Sequence, residues 1–223
     1  MADAVSSAGS APRRGRPPSP RKRAAVLDAA TAVFLREGFA GTGMDTVAAE
    51  AGVAKQTVYS HFGDKESLFK AVVHAARTAG RPGTEHPPSL GLTEASDLRE
   101  ALVAFGANHL SLTMSPRVAA LRRLIIGELD RRPDLRAMWN EGGPAELTAR
   151  LADEFAALDR AGRLEVPDAG RAADQLISLL SHEANMRSLY GVRELGPDER
   201  RDIADRAADM VLRAYRPVSV GGS

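Results

Sequence analysis

Cysteine is absent from the 223 residues. That excludes disulfides, thiolate zinc sites, iron–sulfur clusters and cysteine nucleophiles. No run approaches the ~18 apolar residues that a bilayer-spanning helix requires, so no membrane partner is expected. The first twenty residues lack an apolar core, so no secretory signal is expected there and a cytoplasmic protein is. Aromatic residues make up only 4% of the chain. No stretch alternates apolar and polar residues long enough to suggest a sheet. Hydrophobic residues at 43% and charged residues at 26% are ordinary for a globular protein of one or two domains.

Charge is what stands out. The net charge is +1, but residues 1–23 carry six basic residues against Asp3, and the rest of the chain is mildly acidic. A basic arm on an acidic body suits a polyanion gripped at one end. The same composition also describes a solvated tail, and composition does not choose between them. Residues 1–18, rich in Ala, Ser, Gly, Pro and Arg, show no periodicity and are expected to be disordered.

The remainder reads as all-α. Ser19 is placed to cap a helix, with Pro20 at its first position. Val26, Leu27, Ala30, Val33 and Phe34 form its apolar stripe, and Gly38 is expected to stop it. Met44, Val47, Ala48 and Ala51 mark one face of a short helix ending at Gly52. A tight turn, Gly52-Val53-Ala54, leads to a second short helix over 55–61, with Val58 and Phe62 inward. Asp64 caps a longer helix bearing Leu68, Phe69, Val72, Val73 and Ala76. Residues 80–91 hold three Pro and three Gly and mark the domain boundary, giving domains at 19–79 and 92–217. Helices are expected near 94–113, 117–130, 134–140, 144–160, 170–190 and 198–215.

Two short helices joined by a glycine turn after a scaffold helix make a helix-turn-helix. The second lies in the major groove of DNA with its first residues at base edges. Its outer face offers Lys55, Gln56, Thr57, Tyr59, Ser60 and His61. Lys donates to guanine, Gln bonds adenine twice, and a Thr methyl touches a thymine methyl. Tyr and His donate to phosphate, which fixes register.

The block from Gly38 to Thr42, and then Val47 through Phe69, resembles the N-terminal domain of the tetracycline-repressor (TetR) family. The resemblance runs over residues 19–75 without gaps. It rests on the Ala51-Gly52-Val53 turn, the Tyr59-x-His61-Phe62 block and the Lys65-Glu66-x-Leu68 that follows. It implies that Thr42 meets phosphate, that Lys55, Gln56, Thr57, Tyr59 and His61 face DNA, and that Lys65 reaches phosphate. Two positions depart from the pattern. Ala54 stands where the family often has a capping Ser, and Gly43 where it often has Ser or Thr. Arg13, Arg14 and Arg16 are candidates for a basic arm in the minor groove, or for a tail that floats free.

For the C-terminal body the resemblance implies a small-molecule effector and a homodimer built on the last two helices. Residues 117–160, through Arg123-Leu124-Ile125-Ile126-Gly127-Glu128, also resemble the C-terminal domain of AefR-like regulators. Leu176, Ile177, Leu180 and Ala184 share one face, as do Ile203, Ala207, Met210 and Ala214. Both stripes suit either a dimer interface or the core of a single subunit. Phe105, His109, Met114, Trp139, His182 and Met186 are the candidate effector contacts, although such residues at helical spacing also build plain core. The five His show no paired ligand spacing on a helix, so neither a metal nor a cofactor is expected. There is no Gly-x-Ser-x-Gly elbow and no Walker loop, and Gly41-Thr42-Gly43 follows no strand. The sequence therefore predicts a ligand-responsive regulator, most simply a repressor released from a palindromic duplex operator. The alternatives are an architectural DNA-binding protein without a ligand and, further off, a helical enzyme.

Overall fold

The first helix, α1 (Pro20–Gly41), begins where the proline allows it to. Ser19 holds the cap position, but its hydroxyl makes no capping bond; its carbonyl accepts the Arg23 N–H at 3.0 Å. Gly38 kinks the helix instead of ending it. Its φ of 73° and ψ of 173° interrupt the ladder, and helical turns resume to Gly41. The kink carries Phe39 back under the scaffold, where its ring stacks 5.9 Å from Phe34. Three short or medium helices follow: α2 (Met44–Glu50), α3 (Lys55–Phe62) and α4 (Lys65–Thr78). Gly52, at φ 63°, makes the left-handed turn between α2 and α3 that an L side chain would strain. Asp64 caps α4 by accepting the Ser67 N–H at 2.6 Å, and that bond holds its carboxyl below the usual range.

The computed structural model describes residues 19–78, 90–131 and 143–217. The basic arm, nearly all of the 80–91 segment and the helix expected at 134–140 lie outside them. The body is built from α5 (Leu98–Thr113), α6 (Pro116–Glu128), α7 (Gly143–Arg160), α8 (Ala169–Arg187) and α9 (Pro197–Ala214). Among the described residues every element is a helix. Pro116 and Pro197 open α6 and α9, as their fixed φ favours. In α9 the Glu199 carboxylate accepts the Gly196 N–H and pairs with Arg193; these bonds lower its pKa to about 2.

Two apolar cores result. One joins α1–α4 around Phe34, Phe39, Phe69 and Val58. The other joins α5, α7, α8 and α9 around Leu102, Leu110, Phe155 and Leu180. Helix α6 lies beyond the sequence boundary at 80–91, yet Val118, Leu121 and Ile125 pack into the first core. Their i, i+3, i+7 spacing puts them on one helical face. Arg117 ties the same face to α1, donating to Asp28 at 3.0 Å and to the Thr31 hydroxyl at 2.7 Å. From other positions on α6, Arg122 donates to the Asn185 amide oxygen at 2.7 Å and Arg123 to the Gly191 carbonyl at 2.6 Å. A single helix is thus fixed to the N-terminal unit and to the end of α8.

The stripes on the last two helices turn mostly inward. Leu176, Leu180, Ala184, Ile203 and Ala207 are buried in the subunit's own core. Gly106 brings α5 so close that a Cβ there would lie 2.9 Å from both Ala204 Cβ and Leu180 Cδ2. Met210 and Ala214 stay exposed and Ile177 is half-buried. Helix α8 also stops at Arg187, short of the expected 190, because Leu189 and Tyr190 adopt φ of 50° and 57°.

Candidate nucleic-acid interface

Helix α3 has eight residues, and its inward contacts are Val58 and Phe62, four apart on one face. Those two anchors leave the opposite side for solvent. Lys55, Gln56, Tyr59 and Ser60 are exposed there, with Thr57 and His61 at its edges. The candidate base-reading residues therefore share one outward face, as a groove-reading helix requires. Tyr59 is 42% exposed, and its neighbour Lys55 sits over its ring at 5.8 Å. The Phe62 ring has His61 at 5.9 Å, tilted, and the Arg23 guanidinium over it at 5.4 Å.

Lys65 is half-buried at the start of α4. Its ammonium donates to the Ala40 carbonyl at 3.2 Å and lies 5.0 Å above the Phe39 ring. It thus holds the negative end of α1. Thr42 is almost fully buried, and its hydroxyl donates to the Gly38 carbonyl at 2.7 Å. In this geometry that donor serves the kink in α1. Arg13, Arg14 and Arg16 lie outside the described residues.

Asp45 escapes a reading by motif, because nothing in its local sequence links it to a residue ten positions on. The Lys55 ammonium lies 2.8 Å from its carboxylate, across the turn between α2 and α3. That hydrogen bond first, and then the carboxylate's charge, raise the Lys55 pKa above its ordinary value. The pair offsets an unfavourable placement, since a cation at a helix N-terminus opposes the macrodipole.

Ala54 fills the α3 cap position with an extended ψ of 143° and no side-chain bond to the first turn. Ala54→Ser supplies the missing acceptor for an orphan amide and should stabilise the protein by ~0.5–2 kcal/mol. A thermal melt should show a rise of a few degrees. An unchanged or lower Tm would mean that packing already satisfies the first turn.

In the body, Phe105 and His109 lie one turn apart on α5 with rings stacked at 6.1 Å and 15°. Met114, just beyond that helix, is buried, with its sulfur 3.9 Å from the Ser188 hydroxyl. His182 and Met186 are exposed on the outer side of α8. The inward line of that helix is Leu176, Leu180 and Ala184, and residues two positions on lie ~200° around it. Trp139 lies outside the described residues. No helix among the described residues is long and apolar enough to cross a membrane.

Comparison with known proteins agrees with this geometry. Residues 26–72 match the model for bacterial regulatory proteins of the tetR family, and residues 100–217 match that for the C-terminal domain of AefR-like transcriptional repressors. The second match is much longer than the stretch legible in the sequence. The chain is 44% identical over 62 residues to the HTH-type transcriptional activator FasR of Mycolicibacterium smegmatis, covering 27% of this chain and only 28% of FasR. It is 35% identical over 174 residues to the HTH-type transcriptional repressor BepR of Brucella suis, covering 64% of this chain and 82% of BepR. The solved structure of the flavonoid-responsive regulator FrrA superposes with a TM-score of 0.72 and that of a Mesorhizobium loti TetR-family regulator with 0.71, each 31% identical. The FrrA match covers 90% of this chain and all of FrrA, and the M. loti match covers 87% and 96%. These relatives are transcription regulators and none is described as an enzyme. With an all-helical fold, an outward-facing polar reading helix and family matches over both halves, the chain belongs to the TetR family of DNA-binding transcriptional regulators.

Proposed function

We propose that this protein is a homodimeric repressor that acts in the cytoplasm, holds a near-palindromic duplex and releases it when a small, largely apolar molecule enters the body. The observation that carries the reading is the α3 face, where Lys55, Gln56 and Tyr59 project together from a helix anchored by Val58 and Phe62. Two such helices related by a two-fold axis read half-sites about one helical turn, or ~10 bp, apart. The outer sides of α8 and α9 supply the dimer surface, with Met186 and Met210 exposed there. Their inward stripes already serve the subunit core, so this interface is more polar than the sequence suggests. Thr42, Thr57, His61, Lys65 and the arginines of the arm complete the DNA contacts.

The stacked Phe105 and His109 suit an apolar effector carrying a flat ring. A structural relative is flavonoid-responsive by name, which supports an effector of that general shape. Release follows if the effector prefers an arrangement in which α6 shifts, because α6 packs into the DNA-proximal core. A ligand moves such an equilibrium only by its differential affinity, typically ~1–3 kcal/mol.

Selection from a random duplex pool tests the reading. The wild type should enrich a near-palindrome. Gln56→Ala should relax preference at one position in each half-site by ~1–3 kcal/mol. Tyr59→Phe should instead weaken all duplexes alike, since phosphate contacts carry no sequence information. An enriched sequence unchanged by Gln56→Ala removes the base-reading role, and no enrichment at all removes the operator.

A further inference from the structure

Helix α1 starts before it has anything to pack on. Its first residues, Pro20 to Ala25, are exposed, and Val26 is the first to enter the core. They carry the helix ~9 Å beyond the packed scaffold. Among them are three consecutive cations, Arg21, Lys22 and Arg23. We propose that these three form a phosphate-binding site, which holds the duplex backbone at the mouth of the groove that α3 enters. This rests on the reading of α3 as the groove helix and adds residues outside both that face and the basic arm.

Within the subunit, this segment has little to hold it. It buries no apolar side chain, and Ser19 gives it no side-chain cap. Cations at a helix N-terminus oppose the macrodipole, and three in a row repel one another. The first turn holds no acidic residue to offset them. The next acid along the helix, Asp28, is already held by Arg117 at 3.0 Å. By contrast, Arg36, Lys55 and Lys65 of the same unit are each matched, by Glu37 and Glu50, by Asp45 and by the Ala40 carbonyl. A polyanion from outside supplies the counter-charge that the chain withholds here. Arg23 fixes where that polyanion lies. Its guanidinium sits over the ring of Phe62, the last residue of α3, so the start of α1 adjoins the end of the reading helix. A helix that meets base edges with its first residues has its last residues nearer the groove's mouth, where the phosphates run. Helical side chains lean toward the N-terminus, so the three cations project ahead of α1 and not back over its core. Phosphate contacts carry no sequence information, so the site adds grip and register without adding preference.

The double variant Arg21→Gln/Lys22→Gln removes two charges from exposed positions. Arg23 stays in place, because its contact with Phe62 would confuse a loss of charge with a loss of packing. The control, Arg160→Gln/Arg171→Gln, removes the same charge from exposed positions on α7 and α8. The probes are a duplex of random sequence and one of equal length enriched from a random pool by the wild type, each titrated across a series of salt concentrations. In the double variant the plot of log affinity against log salt should become shallower by up to ~1.8, two contacts of ~0.9 each. The same relation gives a loss of affinity of ~5–50-fold near 0.1 M salt. Both duplexes should lose alike, so the ratio of their affinities should hold. The Tm should stay level or rise slightly, since two cations leave the positive end of a helix. An unchanged salt slope overturns the proposal. So does an equal flattening by the control, which would make the effect one of net charge. A Tm lower by several degrees would give the two residues to the fold, and a loss confined to the enriched duplex would make them base readers; either result also overturns it. A wild type that binds neither duplex removes the DNA reading itself; a wild type that binds both while the double variant matches it removes only this site.

Discussion

Phe69→Ala should be the most damaging single truncation in the DNA-proximal unit. Phe69 is fully buried on α4, with ring centroids 4.8 Å from Phe34 and 5.2 Å from Phe39, both edge-on. Edge-to-face pairs add to the area that the rings bury, because the positive edge of one meets the negative face of another. Removing the central ring leaves a cavity in the core that joins α1–α4, which α6 also closes with Leu121 and Ile125. The expected loss is ~3–5 kcal/mol. For a chain of this size that lowers Tm by roughly 6–20 °C. Phe69→Leu, which keeps most of the volume, should cost clearly less. DNA binding should fall with stability, since α3 has no scaffold but this core. A Tm within two degrees of wild type for Phe69→Ala would show that the three rings do not form the core.

Gly191→Ala should be the second large effect, and it tests the joint between the end of α8 and α6. Gly191 has φ of 81°, and a Cβ added there would lie 2.3 Å from Ala119 Cβ and 3.2 Å from an Arg123 guanidinium nitrogen. Two penalties combine. The left-handed conformation costs an alanine ~1–2 kcal/mol. Overpacking against a backbone-near carbon costs ~1–3 kcal/mol more, because Ala119 has no flexible end to move aside. The neighbours cannot relax either, as Leu189 and Tyr190 are themselves held at positive φ. Arg123 fixes the turn by donating to the carbonyls of Tyr190 and Gly191. Melting should therefore fall by more than an exposed-loop substitution allows. Ala119→Gly in the Gly191→Ala background should recover the steric part and leave the backbone part. Strictly additive effects of the two substitutions would mean that the contact is not made.

Much of this molecule is written locally. Pro116 and Pro197 start their helices, Asp64 caps α4 and Gly52 turns the chain because each acts on its own backbone or within one turn of it. The outward face of α3 is equally legible: with Val58 and Phe62 four residues apart, helical geometry alone decides that Gln56 and Tyr59 point elsewhere. Periodicity tells which side of a helix is apolar, but it does not name the neighbour that covers that side. Hence the helix expected near 117–130 reads as one more body helix, and tertiary packing placed its Val118, Leu121 and Ile125 in the DNA-proximal core. The stripes on α8 and α9 could cover a partner or a core, and the close approach of α5 at Gly106 turned most of each into the subunit's interior. Gly38 signals a break in the ladder, while a kink in place of an end depended on the Phe39 ring finding Phe34 and Phe69 beneath it. The pairing of Lys55 with Asp45 leaves no local trace at all, because the two are brought within reach only by the folded chain.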